Sequence, residues 1–514
     1  MPDIQRESLI HDPIHGYIPF ISIVDEGETS ERTLLDHPWL QRLRQIHQLQ
    51  TAWWVYPSAE HTRFQHVVGS MHMASRAVRS LYESLEKVCP DVPSQGYVEC
   101  LARLAALLHD VGHGPFGHFF DAHFLRDYGL THETLGAHII RHELGDLLRG
   151  VRTCPNSELA AGETIDPQEI AWLITRPTIT TTTTTGDGDD TADVPRWLVL
   201  LRSLFCGLYT VDNMDFVLRD AYMSGYSERA YDLDRLLRYS FFSQQGLTIH
   251  ERGLNALLRF MQIKSELFRA VYFHRTVRAI DKTLEGLFRD SKDLLFPGNP
   301  LEHLDEYLHF TDWSLLVDVA SWHKSDDPRK RELSIRWQRL LGRQVDWEAV
   351  SERNLTFQAG DSEQTSIFSN DNMTEQAIRE LLPADLKELE MRIDLPRHIY
   401  RPDARAATAG QNFLYNSATG KTRPLTDDQL FSQMPVSHRM CRVYLRKGSP
   451  AEHKRAVGSA LDQLVGGTGE DDLTNMCTRI SQMTPFALAR DLRQHFENKD
   501  FNAFHAEATG EPNV

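Results

Sequence analysis

The apolar positions of the first 290 or so residues recur mainly at the spacing of an α-helix. Within Tyr97–Asp110, the apolar residues Leu101, Leu104, Ala105 and Leu108 lie at i, i+3, i+4 and i+7, which places them on one helical face. The same periodicity predicts further helices, which are the stretch after His66 that carries Val67, Met71, Ala74, Val78 and Leu81, the stretch Phe205–Asp220, and the stretch Arg269–Phe288.

The pattern changes beyond about residue 325. A short helix is predicted around Gln376–Leu382. The segment Asn412–Leu425 is typical of a strand, a turn and a second strand, with Thr419-Gly420 in the turn. Arg439–Arg446, with the sequence RMCRVYLR, is typical of another strand. We therefore expect strands to join the helices in the C-terminal part of the chain.

The predicted fold class is mainly α, with a helical core over residues 1–325 and a smaller α+β C-terminal region over residues 326–514. One part of the core, about residues 176–195, lacks apolar periodicity. It contains the unbroken run Thr180–Thr185, followed by GDGDDTAD. This composition predicts a flexible surface insertion.

Length and composition narrow the class of protein. A chain of 514 residues exceeds one compact core, so two or three units are expected. No run of about 18 apolar residues could cross a bilayer, and the N-terminus MPDIQRESLIHDP lacks the pattern of a signal peptide. We expect a cytoplasmic protein without a membrane partner.

The six cysteines are widely separated and are predicted to be free thiols. They are Cys89, Cys100, Cys154, Cys206, Cys441 and Cys477.

The net charge of −17 argues against broad nonspecific binding to nucleic acid, which needs a basic surface. It leaves room for a local basic pocket that holds a phosphorylated small molecule.

Metal-ligand chemistry is concentrated at His66 in RFQH, the doublet His109-Asp110, and Asp212 in TVDNMDF. A mixture of imidazole and carboxylate suits Mn, Fe, Zn, Co or Ni better than Mg alone. Each residue alone is weak support, because a single histidine among 24 is more often structural or exposed. The doublet gains weight because it ends a helix with an apolar face.

The sequence around His109 carries an unusual density of titratable groups. HDVGHGPFGHFFD adds His113, His118 and Asp121 together with three glycines, and THETLGAH adds His132 and Glu133. Glycines there break the helix and let backbone approach a ligand. A purely structural helix has no need for this set, so it indicates a functional site with acid–base chemistry.

These motifs resemble the HD superfamily, and within it the deoxynucleoside triphosphate triphosphohydrolases, a branch with vertebrate sterile-alpha-motif and HD-domain proteins and bacterial relatives. The likeness runs in order along most of the chain. It rests on DPIHGYI, WLQRLRQIHQL, YPSAEHTRFQH, LLHDVGHGPFGHFFD, HET, VDNMDFVLRD, VYFHRTVRAID and, more faintly, RVYLRK. A sterile-alpha-motif domain is not part of the matched pattern.

The resemblance implies roles for individual residues. It implies metal ligands at His66, His109, Asp110 and Asp212. It implies catalytic contacts to the scissile phosphate at His118, Asp121 and His132, with Glu133 orienting His132 and His113 nearby. It implies substrate contacts at Arg63, Gln48, Leu49, Asp220, Lys264 and Tyr272, where Tyr272 helps to exclude a 2′-hydroxyl and Asp220 meets the 3′-hydroxyl.

Three positions depart from the vertebrate pattern. Asn213 stands where that pattern has a phosphate-binding lysine, Phe216 where it has a tyrosine, and Lys264 near a phosphate-binding arginine. Lys264 keeps the charge but loses bidentate geometry. These departures bear on phosphate-chain length and sugar preference rather than on hydrolysis itself.

Two further sets of residues have a structural interpretation beside the functional one. Asp215 and Arg219 lie at i and i+4, which favours an intrahelical ion pair of about 0.2–0.5 kcal/mol. By resemblance Asp36, Gln41 and Arg44 match positions that read a guanine activator, although Ser8 replaces a lysine nearby. The other interpretation is that these residues brace a surface helix. A bound activator would imply a homo-oligomer, a dimer or tetramer.

The resemblance implies metal-dependent release of tripolyphosphate from deoxynucleoside triphosphates, with Mg²⁺ accompanying the nucleotide. Two alternatives stay open. One is another HD phosphohydrolase, such as a nucleotidase or a nuclease acting on nucleic-acid ends, for which Asn213 leaves room. The other is a nucleotide-sensing binding protein, which the full set of acid–base residues disfavours.

Overall fold

The computed structural model describes residues 5–176, 194–361, 363, 366–401 and 412–466. The threonine run of the predicted insertion and Cys477 lie outside the described residues. The other cysteines are free thiols.

Helices dominate the described residues, which confirms the mainly α fold class. In chain order they are α1 (Glu31–Leu35), α2 (Pro38–Gln41), α3 (Arg63–Val88), α4 (Gln95–Leu108), α5 (His118–His123), α6 (His132–His142), α7 (Gly145–Arg149), α8 (Pro167–Ile174), α9 (Arg196–Arg202), α10 (Val211–Met223), α11 (Leu233–Arg238), α12 (Leu254–Leu267), α13 (Arg275–Leu295), α14 (Leu304–Leu308), α15 (Asp312–Ser321), α16 (Pro328–Leu341), α17 (Asp371–Leu381), α18 (Gln429–Ser432) and α19 (Ala451–Val465).

The strands are short and form small sheets. They are β1 (Glu7–Asp12), β2 (Gly16–Ile21), β3 (Thr153–Cys154), β4 (Ser157–Glu158), β5 (Ser240–Phe242), β6 (Leu247–His250), β7 (Trp347–Phe357), β8 (Met391–Asp394), β9 (Arg397–Ile399), β10 (Phe413–Asn416), β11 (Lys421–Pro424) and β12 (Ser437–Arg446). β1 and β2 form an antiparallel hairpin. β10 pairs antiparallel with β11 and parallel with β6, in the order β11-β10-β6-β5.

The chain forms two compact units, and neither is continuous in sequence. Among the described residues, the first comprises those up to 348 together with those in 398–438, and the second comprises those in 349–397 together with 439–466. The sequence pattern suggested a single boundary near residue 325. Residues 398–438 belong to the first unit because β10 and β11 join the sheet that contains β6. The periodicity of the sequence does not show which sheet a strand joins.

The first unit is built around α4. Nearly every side chain of this helix is buried, and its N-terminus is capped by the Ser94 hydroxyl, which accepts from the Tyr97 amide. A helix that is buried all round lies at the centre of a core. α3 packs along α4, and α10 packs against α3. The C-terminal end of α4 is thereby brought to the first turns of α3 and α10.

Two predicted helix starts differ from the structure. The helix expected from Phe205 begins at Val211, because the Thr210 side chain caps it by accepting from the Asn213 amide. The helix expected from Arg269 begins at Arg275, after His274 caps it, and a π-helical turn covers Phe268–Tyr272. The predicted strand-turn-strand matches β10 and β11.

None of the helices in the described ranges is both long enough and apolar enough to cross a membrane.

Candidate metal and phosphate site

Three of the four predicted metal ligands lie with their donor atoms facing one another. His66 Nε2 lies 3.3 Å from His109 Nε2 and 3.1 Å from Asp212 Oδ1, and His109 Nε2 lies 3.7 Å from Asp212 Oδ1. His66 is in the first turn of α3, His109 follows α4, and Asp212 is in the first turn of α10. These separations are those of ligands that share one ion, which for bonds of 2.0–2.2 Å are about 3.4 Å.

Asp110 borders the same point. Its Oδ1 lies 3.4 Å from His109 Nε2, and its Oδ2 lies 4.0 Å from His66 Nε2. The Oδ2 atom also accepts a 2.6 Å hydrogen bond from the Arg63 guanidinium. The structure therefore brings all four predicted ligands together, with Asp110 turned partly toward Arg63.

The second ring nitrogen of each histidine is already engaged. His66 Nδ1 donates to Asp215 Oδ2 at 2.9 Å, and His109 Nδ1 donates to the Ala106 carbonyl at 2.8 Å. Such bonds orient the ring and fix the tautomer, so that Nε2 presents its lone pair to a metal. Both imidazoles are thus oriented as ligands.

Asp215 is the centre of a buried network that the sequence did not predict. The expected ion pair with Arg219 is present as two bonds of 2.9 Å, but it is fully buried rather than solvated. His15 Nε2 donates to the same carboxylate at 2.7 Å, and Arg219 also donates to Asp12 at 2.7 Å. The DPIHGYI segment therefore supports His66 through Asp215, and its presence in the motif set was the only available signal.

Gly69 lets α10 approach α3 at this network. A Cβ added at Gly69 would lie 2.0 Å from Asp215 Oδ1 and 2.3 Å from Arg219 Nη2. Because real side chains do not tolerate such distances, any larger residue must displace the ion pair. The glycine on α3 is therefore part of the support for His66, which lies on the same helix.

The electrostatics of the donor set favour a cation. Burial lowers the pKa of His66, but the hydrogen bonds that its ring donates to Asp212 and Asp215 raise it to about 10. Burial raises the pKa of Asp212, yet the facing imidazoles hold it well below its usual range. The carboxylates therefore stay charged, and without a metal ion the His66 ring carries an additional proton near pH 7. This donor set fits a divalent metal ion, which would replace that proton.

A second cluster of predicted catalytic residues lies beside the first. Asp121 Oδ2 accepts from His132 Nδ1 at 2.6 Å and from His118 Nδ1 at 3.2 Å. His113 stacks on His132 with ring centroids 3.8 Å apart. Glu133 Oε1 lies 3.6 Å from His132 Nε2. These predicted residues are all brought together, and His118 is the exposed member, with 66% of its side chain accessible.

His113 is fully buried beside charged groups. Burial and the Arg63 charge lower its pKa to about 4, so the ring is neutral near pH 7. Burial raises the pKa of Asp121, but His113 and the two imidazoles that donate to it hold that pKa well below its usual range. The cluster therefore combines a charged carboxylate with a neutral buried imidazole.

A strained turn sets the start of α5 and with it His118. Phe116 has φ of 61° and Gly117 has φ of 55°, a left-handed region that favours glycine. A Cβ at Gly117 would lie 2.2 Å from Arg63 Nη2. The Phe116 amide donates to Asp312 at 2.7 Å, and Arg42 donates to the His113 carbonyl at 2.8 Å. Arg42 and Asp312 are supports that sequence analysis did not identify.

The predicted sugar-contacting residues include a linked trio. Asp220 accepts from His61 Nε2 at 2.8 Å through one oxygen and from the Tyr272 hydroxyl through the other. Leu49 is buried, and the Gln48 Oε1 atom is buried without a hydrogen-bond partner among the described residues. His61 was not predicted, although it lies within the YPSAEHTRFQH motif.

The positions that depart from the vertebrate pattern lie close to Asp212. Burial lowers the pKa of Lys264 to about 8, and the Asp212 carboxylate opposes that shift. The Lys264 ammonium is 5.8 Å from the centre of the Phe216 ring. Asn213 is buried in the first turn of α10. Lys264 therefore supplies a positive charge near Asp212 that fits a phosphate ligand.

The residues of the predicted activator site make contacts that would brace a surface helix. Arg44 donates to Gln41 at 2.9 Å and lies 3.6 Å over the Phe64 ring, and Gln41 donates to the Leu35 carbonyl at 2.6 Å. Asp36 is exposed and pairs with Arg32 at 3.3 Å. These contacts leave Asp36 and Arg44 accessible, so both interpretations of the set stay open.

Comparison with known proteins finds a family match and relatives along the chain. The HD domain family matches residues 63–176, the segment that holds His66, the His109-Asp110 doublet and the Asp121 cluster. The chain also matches an uncharacterized protein of Bacillus subtilis, YwfO, with 27% identity over 416 residues, 78% of this chain and 83% of the relative.

Named enzymes are among the relatives. Deoxynucleoside triphosphate triphosphohydrolase SAMHD1 of Bos taurus is 23% identical over 476 residues, covering 85% of this chain and 75% of that protein. The protein of the same name from Homo sapiens is 22% identical over 485 residues, covering 86% and 71%. The resemblance to the HD superfamily and its dNTP triphosphohydrolases is thereby confirmed.

A solved structure shares the fold. A hypothetical protein from Aquifex aeolicus superposes with a TM-score of 0.61 at 21% identity, covering 88% of this chain and 100% of that chain. The HD family match and the named relatives support a hydrolase of the HD phosphohydrolase type, and the His and Asp groups fit a divalent metal site.

Proposed function

We propose that this chain hydrolyses deoxynucleoside triphosphates to deoxynucleoside and tripolyphosphate. The observation that carries the proposal is the approach of the donor atoms of His66, His109 and Asp212 to 3.1–3.7 Å from one another, directly beside the Asp121 cluster. A divalent ion held there would polarise a phosphoryl oxygen and lower the pKa of a bound water. Mn, Fe, Zn, Co or Ni suits the His and Asp donors, and Mg²⁺ would accompany the nucleotide.

The Asp121 cluster would serve the departing oxygen. Attack of water on the α-phosphorus breaks the bond to the 5′-oxygen of the sugar, and that oxygen must take up a proton. His118 is accessible and hydrogen-bonded to Asp121, so its ring is held where it could donate a proton to this oxygen. His132, oriented by Asp121 and Glu133, would contact the same phosphate, and His113 would contribute a neutral ring.

The charge of the phosphate chain requires cations. Arg63 and Lys264 would supply them, because Arg63 adjoins Asp110 at 2.6 Å and Lys264 interacts with Asp212. For the sugar, the Tyr272 ring would help to exclude a 2′-hydroxyl. Gln48 and Leu49 would also contact the sugar. Asp220 would accept from the 3′-hydroxyl, since a carboxylate has about four lone-pair sites and two are occupied.

Regulation by a second nucleotide belongs to the same proposal. Asp36, Gln41 and Arg44 would bind the activator, and a homo-oligomer, either a dimer or a tetramer, would form with it. The accessible positions of Asp36 and Arg44 support this role. Activity that requires a mixture of nucleotides would distinguish it from simple bracing of the surface helix.

A second candidate is another HD phosphohydrolase, a nucleotidase or a nuclease that acts on nucleic-acid ends. The neutral Asn213 next to Asp212 favours it, because a positive charge is lost where a triphosphate would lie. A nucleotide-sensing protein without catalysis is the third candidate, and the assembled acid–base cluster disfavours it.

The test is a product assay. The protein is incubated with Mn²⁺ and each dNTP and NTP, singly and mixed, and the products are resolved by ion-exchange chromatography. Deoxynucleoside and tripolyphosphate are expected, and both should disappear in His109→Ala and Asp212→Ala but persist in the control Asp234→Ala, which changes an exposed carboxylate. Mono- or diphosphate products would favour the second candidate, and turnover of no nucleotide would refute the proposal.

A further inference from the structure

We propose that Arg176 is a further phosphate-binding residue, which contacts the β- and γ-phosphates of the triphosphate beyond the α-phosphate that water attacks. Arg176 follows α8 at the edge of the predicted insertion. Its Nε atom lies 3.2 Å from Glu133 Oε1, and the same oxygen lies 3.6 Å from His132 Nε2. The Arg176 side chain therefore lies at the edge of the Asp121 cluster. The inference rests on the proposed function, because it assigns this arginine to the substrate of that site.

The guanidinium of Arg176 is accessible to a ligand. Its side chain is 75% exposed, whereas the Glu133 side chain is 14% exposed. Glu133 is the one ion-pair partner of Arg176 within the part of the chain that the structure describes. Because a guanidinium presents five N–H donors in a planar fork, most of its donors remain available. Such a fork matches the oxygens of a phosphate group bidentately.

A second cation, Lys264, lies near Arg176. Burial lowers the pKa of Lys264 to about 8, the Asp212 carboxylate opposes this shift, and the positive charge of Arg176 lowers the pKa further. The two cations therefore repel each other. Because the repulsion between like charges held close together is relieved when an anion binds between them, the pair favours a ligand with several negative charges. A polyphosphate chain carries that charge.

The place of Arg176 relative to the two clusters indicates which phosphates it would contact. In the proposed reaction the α-phosphate lies between the metal donors and the Asp121 cluster. Among the described residues, Arg176 pairs with Glu133 and with none of the predicted metal ligands. It would therefore contact the phosphates farther from the metal, which are the β- and γ-phosphates. Its charge would also offset the neutral Asn213, which is the observation that favours the second candidate function.

The alternative is that Arg176 only positions Glu133, which in turn orients His132. Burial raises the pKa of Glu133, but the charges of His132 and Arg176 hold it below its usual range, so the carboxylate is charged in both cases. Loss of a positioning residue would lower kcat and leave KM unchanged, because a misplaced His132 affects the chemical step. Loss of a contact to the β- and γ-phosphates would instead weaken binding, and only of ligands that carry these phosphates.

The first measurement is calorimetric binding of inorganic tripolyphosphate to the protein at a fixed excess of Mn²⁺, together with KM and kcat for a dNTP. Arg176→Ala should weaken tripolyphosphate binding and raise KM by about 10-fold each, with kcat unchanged, because an exposed charge-assisted contact is lost. Arg176→Lys should lose less, since it keeps the charge. Binding of deoxyadenosine monophosphate, which has only the α-phosphate, should not change. The control Arg149→Ala removes an exposed arginine that pairs with Asp146 on α7, and it should leave all of these values unchanged.

Tripolyphosphate affinity that is the same in Arg176→Ala and the native chain would overturn the inference. So would a lower kcat at unchanged KM, which is the result expected of a positioning residue. Failure of the proposed function gives a different result, in which the native chain hydrolyses no dNTP while tripolyphosphate binding still depends on Arg176. Failure of this inference leaves dNTP hydrolysis intact while tripolyphosphate binding does not depend on Arg176. Circular dichroism verifies that each variant is folded.

Discussion

His66 is constrained at both ring nitrogens, and this constraint, together with its identity, fits it to be a metal ligand. Its Nε2 faces His109 and Asp212, while its Nδ1 donates to Asp215. Asp215 is in turn fixed by Arg219 and His15. A change two contacts away from the metal position should therefore alter metal affinity.

Asp215→Asn should weaken metal binding about 10- to 100-fold, because loss of the charge removes the orienting partner of His66. The measurement is competition with a chelating dye for Mn²⁺ or Zn²⁺. Asp234→Asn is the matched control, since that carboxylate is exposed and should leave affinity unchanged. Equal affinity of Asp215→Asn and the native chain would contradict an orienting role.

Lys264 should make binding of the phosphate chain sensitive to mildly alkaline pH. Burial destabilises the ammonium and lowers its pKa from 10.5 to about 8, so the positive charge is present below pH 8 and lost above it. KM for the triphosphate is expected to rise as pH passes about 8. In Lys264→Arg it should stay level, because guanidinium remains charged. A parallel rise in both proteins would exclude Lys264 as the cause.

Individual residues show how much of the candidate site could be predicted from the sequence. The His109-Asp110 doublet and His66 stand in specific motifs, so a metal site was predictable. The role of Asp215 was not, because its spacing to Arg219 indicated only an intrahelical ion pair, and another of its partners, His15, lies 200 positions away. Burial of that ion pair depends on the packing of α10 on α3, which local pattern does not determine.

At the scale of elements, the site depends on three helix ends meeting at one point. α4 supplies a buried axis, and α3 and α10 present their first turns beside its end. Apolar periodicity predicted these helices but placed the start of α10 too early, because the cap at Thr210 was not recognised. The π-helical turn at Phe268–Tyr272 has no periodicity signal either, although it carries Tyr272.

The contact between α3 and α10 can be tested by substituting alanine for two glycines that lie in helices. Gly69→Ala should destabilise the fold by roughly 3 kcal/mol, since its Cβ would overlap a buried ion pair. Gly286→Ala in α13, where the nearest atom is 3.4 Å away, should be neutral or stabilising by up to about 1 kcal/mol. Thermal unfolding of both variants distinguishes overlap from helix propensity, and similar effects of both would reject the overlap.

At the scale of the whole molecule, the unit that holds the metal site is assembled from two separate stretches of chain. Residues up to 348 contribute the helices, and 398–438 contribute β10 and β11 to the sheet that contains β6. The fold class followed from the sequence, but this assembly did not. Strand patterns reveal that a strand exists and not which neighbour it joins.

A chain ended at residue 348 should therefore be less stable than one ended at residue 438, although both keep every predicted metal ligand. The shorter chain lacks the strand that pairs with β6, and the longer one retains it. Denaturant unfolding followed by the fluorescence of the core tryptophans is the measurement. Equal midpoints for the two chains would show that β10 and β11 contribute little to the first unit.

The parallel pairing of β10 with β6 also has a consequence for synthesis of the protein. His250 precedes Phe413 by 163 positions (413 − 250), so the ribosome completes one edge of the sheet long before its neighbour emerges. At about 5–20 residues per second, that edge waits roughly 8–30 seconds with unpaired backbone groups. Because the β10 strand of another chain can pair with β6 during this interval, we expect exchange of this strand between chains to be the folding error to which the protein is most prone.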